Sequence, residues 1–186
     1  AKELDELWEK LELKINEEIK TKFPEINPII LQLLHNRGLT SPEEIDRFLS
    51  PQFEDLTDPF LFRDMEKLAS RIRQAVNSGE TVFVYGDYDA DGVCSSVLLA
   101  ETLRCVAVKK VEVYIPHRER EGYGLNKEAI EFISSQGANL IITVDCGSSN
   151  ALEVEYARSQ GIDVIIIDHH EEPPQIPQGV TAFLNP

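Results

Sequence analysis

The chain has no CxxC pair, no long apolar run, no glycine-rich phosphate motif and few basic residues, and each lack removes a class of function. Its three cysteines, Cys94, Cys105 and Cys146, show neither zinc-ligand spacing nor an even number for disulfides, and each lies in or beside an apolar run. They are expected to be reduced, mostly buried thiols of a cytoplasmic protein. No stretch approaches the ~18 to 20 apolar residues of a membrane span. The N-terminus AKELDELWEK is acidic and amphipathic, where a signal peptide is basic and then apolar. A membrane partner is therefore not expected. Neither GxGxxG nor a P-loop occurs, which leaves dinucleotide and nucleoside-triphosphate sites without a motif. Lys and Arg number 18 against 33 Asp and Glu, and the resulting charge of −15 opposes simple electrostatic capture of a polyanion. Part of that acid lies in the first 20 residues, and part in aspartates that a metal ion would neutralise.

What the chain does contain is a change of pattern near its middle. At 186 residues and 42% hydrophobic it can bury one α/β core with a small helical appendage. Leu4, Leu7, Trp8, Leu11, Ile15 and Ile19 share one face of a helix over residues 4–19. NPIILQLLHNRGL forms a short helix stopped by Gly38, and SPEEIDRFLSP carries a capping box with Ser41 as N-cap and Glu44 at N3. A Pro-rich connector precedes a helix capped by Asp64 and stopped by Gly79. From residue 81, four apolar strands, TVFVYGD, KVEVYIP, NLIITVDCG and DVIIIDHH, alternate with helices over SSVLLAETLR, NKEAIEFISSQG and ALEVEYARSQG. That alternation implies right-handed βαβ units and a parallel sheet with helices on both faces. The domains are expected to be 1–63, helical with a connector, and 64–186, an α/β domain.

In such sheets ligands bind beyond the carboxyl ends of the strands. Here those ends hold Asp87, Asp89 and Asp91 after the first strand, Asp145 after the third, and Asp168, His169 and His170 after the fourth. Carboxylates with imidazole suit Mn²⁺, Mg²⁺ or Zn²⁺, and the lack of cysteine pairs favours the oxygen-preferring ions. The D-x-D-x-D-G spacing also fits the start of a calcium loop, but the twelfth position is Leu98 where a bidentate Glu is needed, and a strand precedes it. A haloacid-dehalogenase-type phosphatase box would leave VDCG and DHH unexplained.

GDYDADG, VDCG and DHH, in that order, resemble motifs I, II and III of the DHH phosphoesterase superfamily. LLHNRGLTSPEEIDRFLSP, IPHREREGYGLN and the closing FLNP resemble its bacterial single-strand-specific 5′-to-3′ DNA exonucleases, which act in DNA repair and recombination. The resemblance covers about residue 24 to 186. It implies a two-metal Mn²⁺ or Mg²⁺ site that hydrolyses phosphodiesters of single-stranded DNA with metal-activated water. Asp89, Asp91, Asp145 and His169 would be its ligands, Asp87 a ligand or outer partner, Asp168 an outer partner that orients the histidines, and His170 the group facing the scissile phosphate. Arg118, with Ser95 at the start of a helix and Tyr123 stacking on a base, would contact substrate. His35 and His117 read as structural or solvated.

Two departures from the family pattern matter. Many members have a histidine four residues before the first ligand Asp, and here that position is Tyr85. The family's fourth motif and its C-terminal substrate-holding domain are not in the chain, so the chain is expected to continue beyond 186 in the full protein and to have little activity alone. An oligonucleotide or cyclic-dinucleotide phosphodiesterase is an alternative inside the superfamily, and a non-catalytic scaffold is one outside enzymology. No oligomeric interface is legible.

Overall fold

The computed structural model describes residues 17–186. Most of the helix expected over residues 4–19 lies outside them, and the part within is α1, Glu17–Lys22. Helices α1, α2 (Pro28–Asn36) and α3 (Pro42–Leu49) bury Ile19, Phe23, Leu31, Leu34 and Ile45 together. The capping box is present at α3: Ser41 Oγ accepts from the Glu44 amide, and the Glu44 carboxylate accepts from the Ser41 amide. Of the described residues, those up to Thr57 form one compact unit, and Asp58–Pro186 form a second.

The second unit carries α4 (Met65–Ser78), β1 (Thr81–Gly86), α5 (Ala90–Cys105), β2 (Lys110–Tyr114), α6 (Lys127–Ser135), β3 (Leu140–Val144), α7 (Ala151–Ser159), β4 (Asp163–Ile167) and β5 (Ala182–Leu184). All strand pairs are parallel, in the order β2-β1-β3-β4-β5. The α/β class and parallel sheet expected from the sequence are found. A fifth strand was not expected: its three residues run beside Ile165–Ile167 and give β4 a second neighbour.

Alternation along the strands sorts the core into two layers. Phe83, Tyr85, Ile141, Val164 and Ile166 face Ala129, Ile130 and Ile133 of α6 and Val154 and Ala157 of α7. Val82, Val84, Leu140, Ile142 and Ile165 face Ala75 of α4 and Ala100 and Leu103 of α5. Nearly continuous apolar strands are thereby explained, since both faces are covered.

The two edges of the sheet across the strand direction differ. At the amino edge the buried Arg71 donates from Nε to Asp163 at 2.7 Å and pairs through Nη2 with Glu80 at 2.7 Å. Asp64 stands at the N-cap of α4 without a side-chain capping bond; its carboxylate instead accepts from the Phe183 amide and pairs with Lys67, which ties α4 to β5. At the carboxyl edge the chain leaves β1 toward β2 on one side while β3 lies on the other. Such a divergence opens a crevice beyond the strand ends.

Cys146 is buried, but Cys94 and Cys105 are exposed, so the expectation of mostly buried thiols is corrected. Both lie on α5, which packs on the sheet through Ala100 and Leu103.

Candidate metal centre

The carboxyl-edge crevice is built from turns that end β1, β3 and β4. After β1 the chain extends through Asp87 and then enters α5, with Asp89 as N-cap: its Oδ1 accepts from the amides of Asp91 and Gly92. The turn is tight because Gly92 lies against the backbone of Asp87, and a Cβ there would drive into it. α5 therefore starts at Ala90, five residues before Ser95, which corrects the expectation that Ser95 opens the helix. Ser95 lines the cavity from inside the helix, and the neighbouring Ser96 hydroxyl is spent on the Gly92 carbonyl at 2.7 Å.

After β3, Asp145 adopts φ 62°, a left-handed conformation that costs a non-glycine residue about 1 kcal/mol or more. Its amide still pairs with the Ile167 carbonyl at 3.0 Å, so the turn remains tied to the end of β4. After β4, Asp168 is buried and organises the DHH turn. Its Oδ1 accepts from the amides of His169 and His170, and its Oδ2 from the Ser148 amide at 3.0 Å.

Two groups of potential donors meet on this edge. Oxygens of Asp87, Asp89 and Asp145 lie within 4.8 Å of one another, and so do donor atoms of Asp145, His169 and His170. Asp145 belongs to both, with its Oδ1 2.8 Å from His169 Nε2. Asp91 lies outside both groups but lines the adjoining cavity of about 380 Å³, together with Cys94, Ser95, Asp145, Asp168 and His169. The structure thus gathers Asp87 where the family resemblance had emphasised Asp91.

The electrostatics of the edge follow from burial and hydrogen bonding. Burial and the adjacent Asp89 raise the Asp145 carboxyl above its ordinary value, against the pull of His169. The Gly92 and Asp91 amides hold Asp89 below its ordinary value. Burial works to raise Asp168, yet its bonds from Ser148 and His170 prevail and bring it to about 2. The His170 imidazole is raised, chiefly by its 2.8 Å bond from Nδ1 to Asp168. Asp87 is 4% exposed, and its Oδ1 has no hydrogen-bond partner. A buried carboxylate oxygen without a donor, facing two more carboxylates, is costly unless a cation joins it.

Tyr85 stays away from this cluster. Its hydroxyl donates to the Gly124 carbonyl at 2.8 Å, and its ring packs in the layer under α6, so the position that holds histidine in many superfamily members here supports the loop after β2. That loop carries Arg118, whose guanidinium carbon lies 5.2 Å from the centroid of the Tyr88 ring, and Tyr123, whose hydroxyl is within hydrogen-bond reach of the Asp145 carbonyl and of His170 Nδ1. Burial and the surrounding carboxylates raise the Tyr123 phenol, which keeps it a neutral donor. His117 accepts from the Glu119 amide in the same loop.

Ser148 and Asn185 were missed from the sequence. Asn185 Nδ2 donates to the His170 carbonyl at 2.9 Å and lies 3.2 Å from Ser148 Oγ, joining the turns after β3 and β4. The available signal was an Asn between an apolar triplet and Pro186, the position where a strand ends.

Known proteins resemble this chain in sequence and fold. The DHH family, N-terminal domain, matches residues 81–186. The chain is 42% identical over 161 residues to the single-stranded-DNA-specific exonuclease RecJ of Bacillus subtilis, covering 87% of this chain and 20% of that protein. Against RecJ of Escherichia coli the identity is 34% over 164 residues, with 87% and 27% covered. The chain thus spans only about a quarter of the length of these relatives. A crystal structure of exonuclease RecJ bound to manganese superposes with a TM-score of 0.62 at 32% identity, over 67% of this chain and 31% of that one. RecJ of Thermus thermophilus in complex with Mn²⁺ shares the fold, with a TM-score of 0.66 at 24% identity over 96% of this chain and 24% of that one. With aspartates closing β1 and β3, the Asp-His-His turn closing β4, and the family match spanning every strand, this chain belongs to the DHH family.

Proposed function

We propose that the chain provides the metal-binding face of a phosphodiesterase that degrades single-stranded DNA from a 5′ end in repair and recombination. The observation that carries this reading is the buried, unpartnered Oδ1 of Asp87 beside Asp89 and Asp145. Oxygen donors with one or two imidazoles fit Mn²⁺ or Mg²⁺ better than a soft metal. Asp87, Asp89, Asp145 and His169 would hold two such ions, with Asp91 at the cavity wall as a further donor. Bound there, divalent cations supply an activated water and neutralise charge on the phosphate.

The chain's own residues do the remaining work. Asp168, ionised at neutral pH, takes the Nδ1 proton of His170 in a hydrogen bond and leaves Nε2 for an oxygen of the phosphate. Arg118, braced on the Tyr88 ring, stands on the loop beside motif I as a partner for the DNA backbone. This reading bears on the charge of the chain, since ions held by these carboxylates would neutralise part of the acid at the edge that meets DNA. The three free cysteines fit a reducing cytoplasm. Among the described residues no helix is long and apolar enough to cross a membrane.

The test has two parts. Calorimetric titration with Mn²⁺ should show binding that Asp145→Ala removes; equal binding by both chains rejects the metal centre and leaves a scaffold. Digestion is tested in a protein of the relatives' full length containing this chain. A 5′-labelled single strand should release its label as mononucleotide while duplex survives, and equal attack on duplex rejects the substrate assignment.

A further inference from the structure

The loop that joins β2 to α6 is secured from below by residues outside the proposed ligand set. Asn150 pairs with Leu125 in both directions, its Oδ1 accepting from the amide at 3.1 Å and its Nδ2 donating to the carbonyl at 3.2 Å. Tyr85 donates to the Gly124 carbonyl, and Asn126 donates to the Tyr85 hydroxyl and to Glu121. Glu121 accepts from the His117 amide and from Tyr114. Gly122 and Gly124 bracket the tip with φ of 78° and 83°, a double left-handed turn that side chains rarely adopt. The residue between them is Tyr123. A loop so anchored presents that one side chain in a set direction.

The direction is toward the site. Tyr123 Oη lies 3.1 Å from the carbonyl of Asp145 and 3.0 Å from Nδ1 of His170, whose ring is edge-on to the phenol at a centroid distance of 5.5 Å. The phenol has one proton. It goes to the Asp145 carbonyl, because His170 Nδ1 is already matched to the Asp168 carboxylate at 2.8 Å and donates there. The Tyr123 oxygen then has a lone pair for the same Nδ1 proton. Both contacts require the hydroxyl and neither requires the ring.

We infer that Tyr123 is a positioning residue: its hydroxyl latches the left-handed turn at Asp145 to the imidazole of His170 and, together with Asp168, holds Nε2 as the nitrogen offered to substrate. This deepens the phosphodiesterase reading and rests on it for the role of His170. It leaves the ring face, which the sequence reading offered to a base, unused by either contact. The assignment also accounts for Tyr85, which acts at two removes by supporting the loop and does not touch the carboxylates.

The experiment is performed on the metal-free chain with ¹⁵N-labelled histidine. In Tyr123→Phe, which loses one oxygen from a side chain that is 48% exposed, the ring nitrogens of His170 should move toward the pattern of a ring shared between tautomers. Those of His169 should stay, and thermal melting should remain cooperative. His170 resonances that coincide with those of the unsubstituted chain overturn the inference. A Tyr123→Phe chain that no longer melts cooperatively overturns it too, because Tyr123 would then be a support of the fold. Failure of the metal reading is seen separately, in Mn²⁺ titration of the Asp145→Ala chain, and leaves the His170 signature to stand or fall alone.

Discussion

His169 Nε2 lies 2.8 Å from Asp145 Oδ1, although 24 positions separate them and they close different strands. Parallel pairing of β3 with β4 makes this possible, because it places Val144 beside Ile167 and so sets the two turns side by side. Both atoms are donors to a common ion in the proposed site. His169→Ala and Asp145→Ala should each weaken Mn²⁺ binding by at least the ~10- to 100-fold that loss of an outer partner costs. The double variant should lose less than the product of the two, since they share one ion. Isothermal titration of the four chains checks this, and full additivity would mean separate sites.

Asp87 is predicted to be a liability without metal. Asp87→Asn removes a buried charge that faces Asp89 and Asp145, and should stabilise the metal-free chain by about 1 kcal/mol. That corresponds to a melting shift of about 3 °C at this size. The rise in melting temperature that Mn²⁺ gives to the unsubstituted chain should shrink or vanish in the variant. Paired melts with Mn²⁺ and with chelator decide it; a variant that is less stable in chelator contradicts the role given to Asp87.

Gly92→Ala should cost about 1 to 3 kcal/mol in urea unfolding, because the new methyl must push the Asp87 backbone away from the first turn of α5. The same displacement spreads the carboxylates, so Mn²⁺ affinity should fall with stability. Val93→Ala, one residue on and exposed, is the control and should change neither.

Acid should weaken the fold through Asp168. Its folded value of about 2 lies below the ordinary carboxylate value near 3.8, so its contribution is complete above about pH 4 and is lost as pH falls toward 2. A shift of that size is worth at most about 2 kcal/mol. Asp168→Asn should remove the contribution at neutral pH and flatten the stability profile below pH 4, as read by urea unfolding from pH 2 to 7. A variant whose profile parallels that of the unsubstituted chain would place the acid sensitivity elsewhere.

Tyr85→Phe should cost about 1 to 2 kcal/mol, from the unpaired Gly124 carbonyl, while Mn²⁺ affinity stays unchanged. Tyr85→His should not gain affinity in spite of restoring the residue common in the superfamily. Its side chain would have to leave the packed layer under α6 to reach the carboxylates. Tighter Mn²⁺ binding by Tyr85→His would show that the position ligates after all.

Much of this was legible in the residues because apolar period changes from helical to strand-like at Thr81, and three of the strands, β1, β3 and β4, run into an aspartate. β5 escaped notice because three residues between a Pro-rich stretch and Pro186 are too few for any period; pairing with Ile165–Ile167 is what makes them a strand. The start of α5 was misplaced because Asp91 and Gly92 have poor helix propensity, which the Asp89 cap offsets. Which aspartates converge was beyond the pattern. Three alternate carboxylates look equivalent in sequence, but the chain is extended at the Asp89 cap and helical by Asp91, so the last one is carried around the helix and out of the cluster. The part played by Tyr123 depends on how a loop closes between two glycines, and no local pattern reports that.

The Arg71 pairs with Glu80 and Asp163 and the acidic crevice occupy opposite ends of the same five-residue strands, about 17 Å apart. Arg71 is matched there by two carboxylates, and the field that reaches solvent is screened over ~8 Å in physiological salt. Charge on one edge therefore goes almost unfelt on the other. Substitution of a carboxylate or an imidazole at the crevice leaves the Arg71 pairs as they are, so the far edge goes on closing the sheet while the near edge is varied.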